Sequence, residues 1–252
     1  MSVTDLTANV GGIPRKTLTL FFLVDTSGSM KGDKIGTVNV AVRDVLPEIK
    51  EIAETQADAE IKIAVLRFSD GVEWLTPHGP EDVEHYYWEF LHADGLTAFG
   101  EACGALNAKL SKKEFMKGAS SSFAPVFMLF TDGQPSDEWQ GPLAELKQNP
   151  WFKLGIKAAL AIGEDADKNV LEQFTGNSET VIEVRNKAKL RSMIRFLAVT
   201  SSKIASRGAD AGASAAEEDK TKEFAKAVAE EFPQDDWGVD ASEAAQDDFE
   251  DW

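Results

Sequence analysis

The chain has 252 residues, enough for one large domain or a domain with an appendage, and its hydrophobic fraction of 43% leaves room for a real core. With 26 Lys and Arg against 43 Asp and Glu, the formal net charge of −17 argues against general nucleic-acid binding, which needs clustered cations, and suits a basic protein partner or a bound cation. The one cysteine, Cys103, has no internal disulfide partner, so packing alone must hold the fold and a reducing compartment is expected.

The opening residues, MSVTDLTANVGGIPRKTL, lack a cationic stretch followed by an apolar one. No later segment approaches the roughly 18 uninterrupted apolar residues of a membrane span. A soluble, cytoplasmic protein is expected, with residues 1–14 as an N-terminal extension, 15–207 as the folded domain and 208–252 as an acidic tail.

TLTLFFLV (17–24) is apolar on both alternating faces, as a central parallel strand under two layers of helices requires. After DTSGSM, the residues Ile35, Val38, Val42, Val45, Leu46, Ile49 and Ile52 recur at helical spacing and predict a long helix. EIKIAVLRFS (60–69) and GVEWLTP (71–77) read as a hairpin about a short SDG turn. EDVEHYYWEFLHA (81–93) reads as a short helix, and a second helix begins near Ala98 after the loop DGLTAFG. FAPVFMLFTDG (123–133) repeats the opening theme, a buried strand ending in Thr131, Asp132 and Gly133, and Asp137 is expected to cap a helix starting near Glu138.

GIKAALAIG (155–163) and ETVIEVR (179–185) are further strands, separated by the helix DKNVLEQFTG (167–176) and followed by a closing helix over 186–206. Strands alternating with helices predict a doubly wound α/β fold: a mostly parallel central sheet, helices on both faces, and one antiparallel edge strand. Beyond residue 207 the composition changes, since 208–252 hold fifteen acids and three lysines. AAEEDKTKEFAKAVAEEF (215–232) predicts an amphipathic helix with Phe224, Val228 and Phe232 on one stripe. The final stretch repeats an acidic-aromatic unit around Trp237, Phe249 and Trp252. Such composition favours disorder, but an aromatic anchor beside carboxylates also suits docking to a basic-rimmed pocket, or to the metal centre through a tail carboxylate.

The chemistry concentrates where the first strand ends. Asp25, Ser27 and Ser29 at i, i+2 and i+4 offer one carboxylate and two hydroxyls at the carboxyl edge of the sheet, where doubly wound folds bind ligands. Thr97 precedes the helix after the second loop, and Asp132 sits at the tip of another strand. Oxygen-only donors suit Mg²⁺, with Mn²⁺ or Ca²⁺ as alternatives, over zinc. Only two of these five side chains are charged, which leaves a bound ion electrophilic enough to accept a carboxylate from a partner. Taken alone, Asp25, Ser27 and Ser29 also suit a helix N-cap, and Asp132–Gly133 a simple turn.

DTSGSM, with Thr97 and Asp132 in FTDGQPSD, resembles the D-x-S-x-S signature and the distant ligands of the von Willebrand factor type A domain over about residues 15–205. The resemblance implies a metal-ion-dependent adhesion site of Asp25, Ser27, Ser29, Thr97 and Asp132. GLTAFGEAC and FTDGQPSD look most like the bacterial TerY-like branch associated with tellurite resistance and stress operons, although Leu96 stands where that branch often has a second glycine. That context implies a protein-binding or scaffolding role, at times beside a kinase and a metal-dependent phosphatase.

Catalysis lacks its signatures. Ser27 stands where a haloacid-dehalogenase-type phosphatase needs a second Asp, and there is no phosphate loop, dinucleotide fingerprint or G-x-S-x-G elbow. His78, His85 and His92 read as partly exposed residues, the latter two on one helical face, and Cys103 as a packed apolar residue. The expectation is a non-enzymatic, metal-dependent interaction module. The alternative is a regulatory scaffold acting through the tail, its metal site structural.

Overall fold

A computed structural model describes residues 15–55, 59–116, 122–164, 166–207 and 215–231. Strand β1 (Lys16–Asp25) is buried along its last eight residues, and its alternation divides the core in two. Leu18, Leu20, Phe22 and Val24 join one cluster, with α1 (Asp33–Thr55) and α6 (Lys187–Arg207). Phe21 and Leu23 face the other, with α2 (Phe99–Lys109) and α5 (Lys168–Thr175). A strand covered on both faces has no solvent side, which is why it reads as a continuous apolar run.

The sheet runs β3-β2-β1-β5-β6-β7. Strands β2 (Ala59–Phe68), β1, β5 (Val126–Thr131), β6 (Ile156–Ile162) and β7 (Val181–Val184) are parallel neighbours, as expected. The antiparallel edge consists of two short pieces on the outer side of β2: β3 (Val72–Trp74) and β4 (Glu81–Asp82). The predicted hairpin turn is present, with Ser69 donating to Gly71 O at 2.9 Å.

The helix expected over 81–93 is absent. Glu81 and Asp82 are taken up by pairing with β2, one turn follows as Tyr86 N donates to Asp82 O, and the chain then runs without regular structure to the α2 helix. Asn39 of α1 holds it there: its carboxamide donates to Leu91 O at 2.9 Å and accepts from Leu91 N at 2.8 Å and Trp88 Nε1 at 3.1 Å. A side chain that satisfies a buried residue's donor and acceptor replaces the helical ladder. His85 and His92 therefore share no helical face, and all three histidines are exposed.

Asp137 caps a different helix from the one expected. Its carboxylate accepts from Gly100 N and Glu101 N, both at 3.0 Å, and so closes the first turn of α2, while at α3 (Gln140–Leu146) it is the Glu138 carboxylate that accepts from Gly141 N, at 3.0 Å. Helix α4 (Pro150–Leu154), absent from the sequence reading, carries a readable start: Asn149 accepts from Trp151 N, and Pro150 occupies the first turn. Helix α7 (Ala215–Glu231) packs against α6, β6 and the turn before β7, and buries Phe224 and Val228 of the predicted stripe, while Phe232 lies outside the described residues. Cys103 is fully buried, as expected of a packed residue. No described helix is long and apolar enough to cross a membrane.

Candidate metal centre

Three chain segments meet at the carboxyl ends of β1 and β5, and main-chain hydrogen bonds stitch them together. Asp94 N donates to Thr26 O at 2.8 Å and Gly28 N to Gly95 O at 2.9 Å, which fastens the loop before α2 onto the turn after β1. Ser136 N donates to Thr97 O at 2.9 Å while Thr97 N donates to Ser136 Oγ at 2.8 Å, which ties the same loop to the one after β5. Gly95 is required by this crowding: its φ is +82°, and a Cβ there would stand 2.5 Å from the Asp70 carboxylate, which accepts from Leu96 N. Gly133, at φ +70°, turns the chain away directly after Asp132, and a Cβ there would meet Asp167 O at 2.8 Å.

The five predicted side chains are thus carried on segments joined to one another. Asp25, Ser27, Thr97 and Asp132 are buried, and Ser29 is exposed at the rim. Ser27 precedes a 3₁₀ turn (Gly28–Met30) but makes no side-chain capping bond there. Instead the Ser27 and Ser29 hydroxyls lie 3.0 Å apart, so the N-cap alternative does not account for them.

Among the described residues Lys34 is the cation beside Asp132, and the hydrogen bonds to Asp25 come from uncharged donors. Asp25 accepts from Ser27 N at 2.8 Å and from the Thr131 hydroxyl at 2.5 Å. Burial pushes its carboxyl above the usual carboxylate range and the nearby Asp132 charge adds to this, while hydrogen bonds from Ser27 and Thr131 pull it back. Asp132 is fully buried, with Oδ2 3.3 Å from Lys34 Nζ. Its other oxygen, Oδ1, has no hydrogen-bond partner among the described residues. A buried carboxylate oxygen without a donor is costly unless something positive completes it, so the donor set fits a hard divalent cation. Among the described residues no three His, Cys, Asp or Glu side chains cluster to hold a metal, consistent with a centre of two carboxylates and hydroxyls.

Thr131, Ser136 and Lys34 were not predicted. Thr131 and Ser136 stand within the quoted FTDGQPSD, but only the fold shows what they hold. Trp237, Phe249 and Trp252 lie outside the described residues.

A doubly wound sheet with an oxygen-lined site at the end of its first strand is the architecture of an α/β ligand-binding domain. The von Willebrand factor type A domain model matches residues 19–195, and the chain belongs to that family. Human inter-alpha-trypsin inhibitor heavy chain H6 is 26% identical over 176 residues, 65% of this chain and 13% of that protein. Among solved structures, the fold is similar to proximal thread matrix protein 1 from the mussel byssus, at 17% identity and TM-score 0.55 over 73% of this chain and 48% of that one. It is also similar to the pilus adhesin SpaC from Lactobacillus rhamnosus GG, at 13% identity and TM-score 0.56 over 75% of this chain and 30% of that one. A von Willebrand factor type A protein from Catenulispora acidiphila matches at 20% identity and TM-score 0.51, over 74% of this chain and 43% of that one. The chain thus spans less than half the length of each of these proteins.

Proposed function

We propose that this chain is a non-enzymatic, metal-dependent protein-interaction module, in which Asp25, Ser27, Ser29, Thr97 and Asp132 hold a divalent cation. The observation that carries the reading is Asp132 Oδ1, a fully buried carboxylate oxygen with no donor among the described residues, beside the Asp25 carboxylate. The hard donor set favours Mg²⁺, with Mn²⁺ or Ca²⁺ as alternatives. One structure of the mussel thread protein has a zinc-occupied MIDAS motif, which supports a divalent ion in this fold. When bound, the cation supplies a Lewis-acid position for an acidic side chain of the partner. The protein's own groups do the rest: Thr131 and Ser27 N orient Asp25, and Ser136 orients Thr97.

The finer assignment rests on sequence. GLTAFGEAC and FTDGQPSD support a cytoplasmic, TerY-like protein of a bacterial stress or tellurite-resistance system, with a kinase or metal-dependent phosphatase among its candidate partners. The acidic-aromatic repeats around Trp237, Phe249 and Trp252 support a second reading, a scaffold that binds through the tail with a structural metal. Affinity capture from the native cell with and without chelator, using the wild type, Asp25→Ala and a chain lacking 233–252, separates them. Capture lost with chelator and in Asp25→Ala supports the first reading. Capture that survives both but needs the tail overturns it in favour of the second.

A further inference from the structure

Helix α6 carries six lysines and arginines between Lys187 and Arg207 and no acid, in a chain whose formal net charge is −17. Cations in its first turn run against the helix dipole, so local helix energetics do not account for them. Lys187, Arg191 and Arg195 stand at i, i+4 and i+8 and are exposed, which makes a cationic stripe along one face of α6. Glu48 of α1 accepts from Arg191 Nε at 2.8 Å and lies 2.9 Å from Arg195 Nε, yet the two arginine side chains stay 48% and 61% exposed. Each guanidinium is a plane with five donors, so one shared carboxylate leaves donors and planar faces open to solvent.

The chain beyond Glu231, the described end of α7, holds the complementary chemistry. Residues 232–252 have eight acids and no cation, and each aromatic of the repeats directly follows two acids: Asp235-Asp236-Trp237, Asp247-Asp248-Phe249 and Glu250-Asp251-Trp252. Helix α7 packs against α6, and α6 is about 30 Å long, whereas these 21 residues can extend to about 70 Å, so the whole stripe is within reach. We propose that residues 233–252 dock in their own chain on the stripe of α6, their carboxylates pairing with Lys187, Arg191 and Arg195 and a tail aromatic stacking on an arginine plane. Arginine suits both contacts, since it takes a carboxylate in its plane and an aromatic ring on its face. Each contact is weak alone, but a tether of this length holds the tail at an effective concentration of order millimolar, which populates the docked state. The stripe thereby competes with a basic-rimmed partner for the same acidic-aromatic units. The inference stands apart from the metal-centre reading.

The test is paramagnetic broadening in the isotope-labelled full chain, with chelator present throughout so that no tail carboxylate is held by a cation. Cys103 is fully buried, so a nitroxide on Ser242→Cys reports on the tail alone. At about 50 mM salt, amides over Lys187–Arg195 are expected to broaden at least about threefold more than those of α2, which packs on the opposite face of the sheet. Raising salt to about 500 mM is expected to remove at least about half of that difference. So are Arg191→Gln with Arg195→Gln, and Trp237→Ser with Phe249→Ser and Trp252→Ser, each set first melted to establish folding; the salt series needs no substitution in the stripe. Equal broadening of α6 and α2, or a difference that survives salt, the arginine pair or the aromatic set, overturns the proposal. Equal broadening of α6 when spin-labelled chains are mixed with isotope-labelled, spin-free ones assigns the docking to a second copy and overturns it as well.

Discussion

The Thr131 hydroxyl donates to Oδ2 of Asp25 at 2.5 Å, from the end of β5 to the end of the neighbouring parallel strand β1. Thr131 Oγ1 also accepts from Gly133 N at 2.9 Å, so one side chain fixes both the first carboxylate and the turn that carries the second. Thr131→Val keeps the shape but removes donor and acceptor together. It is expected to cost about 1–3 kcal/mol in urea denaturation and to weaken Mg²⁺ binding several-fold, with Thr131→Ser restoring most of both. A valine variant that binds Mg²⁺ like the wild type would remove Thr131 from the positioning of Asp25.

The Asp25 carboxyl titrates above its ordinary range in the metal-free fold, and this sets a pH dependence with a definite sign. Between the unfolded value of roughly 3.9 and the raised folded value, the folded chain binds the proton more tightly than the unfolded one. Stability of the metal-free protein from this group is therefore full below the unfolded value and is lost as pH rises through the folded value. Metal binding runs the other way, because proton and cation compete for the same oxygens. The Mg²⁺-induced rise in melting temperature should grow with pH across this window and level off above it. Asp25→Asn should melt at or above the wild type in chelator near pH 7, and show no Mg²⁺ response at any pH.

The parts of this molecule readable from sequence are those whose signal is local. DTSGSM places three oxygen donors within five residues, and the apolar runs ending in Asp25 and Asp132 mark buried strands because a parallel sheet covered on both faces leaves no alternative pattern. What sequence concealed depends on distant partners. Thr131 lies 106 residues from the carboxylate it orients, and Lys34 lies 98 from the one it neutralises. Asp137 looked like a cap for the helix after it, yet its carboxylate serves two N–H groups of α2, 37 and 36 residues away. Residues 81–93 carry helix-compatible spacing, but β2 takes the first two and Asn39 the main chain of Leu91. Tertiary hydrogen bonds there outcompete a local preference worth only tenths of a kcal/mol per residue.

Asn39 accordingly matters beyond its place in α1. Asn39→Ala strands the N–H and carbonyl of Leu91, a buried residue, and removes the acceptor of the Trp88 indole. A loss of about 2–4 kcal/mol is expected, since each stranded buried group costs of order 1–3 kcal/mol and some relax toward water. The released segment leads directly into the Thr97 loop, so hydrogen exchange should accelerate over 86–97 while β1 and β5 stay protected. Mg²⁺ affinity should fall with it. Unchanged exchange at Leu91 would show that the carboxamide does not hold the segment.

Helix α7 follows the acidic change in composition, yet Phe224, Ala225 and Val228 are essentially inaccessible to solvent, and Phe224 and Val228 join the core cluster that includes Leu190, Ile194 and Leu197 of α6. The buried face, rather than the charged one, should decide its contribution. Phe224→Ala is expected to destabilise the whole chain by about 3 kcal/mol in a single cooperative transition, by lost transfer energy and the cavity left behind. Lys226→Ala, on the exposed side and 3.7 Å from Glu230, should change stability by less than about 0.5 kcal/mol, as exposed helical ion pairs do. Cutting the chain after residue 207 should reproduce the Phe224→Ala loss or exceed it, because the apolar face under α7 is then left to water. A cut chain that melts with the wild type would instead make α7 an independent appendage, stabilised by nothing it covers.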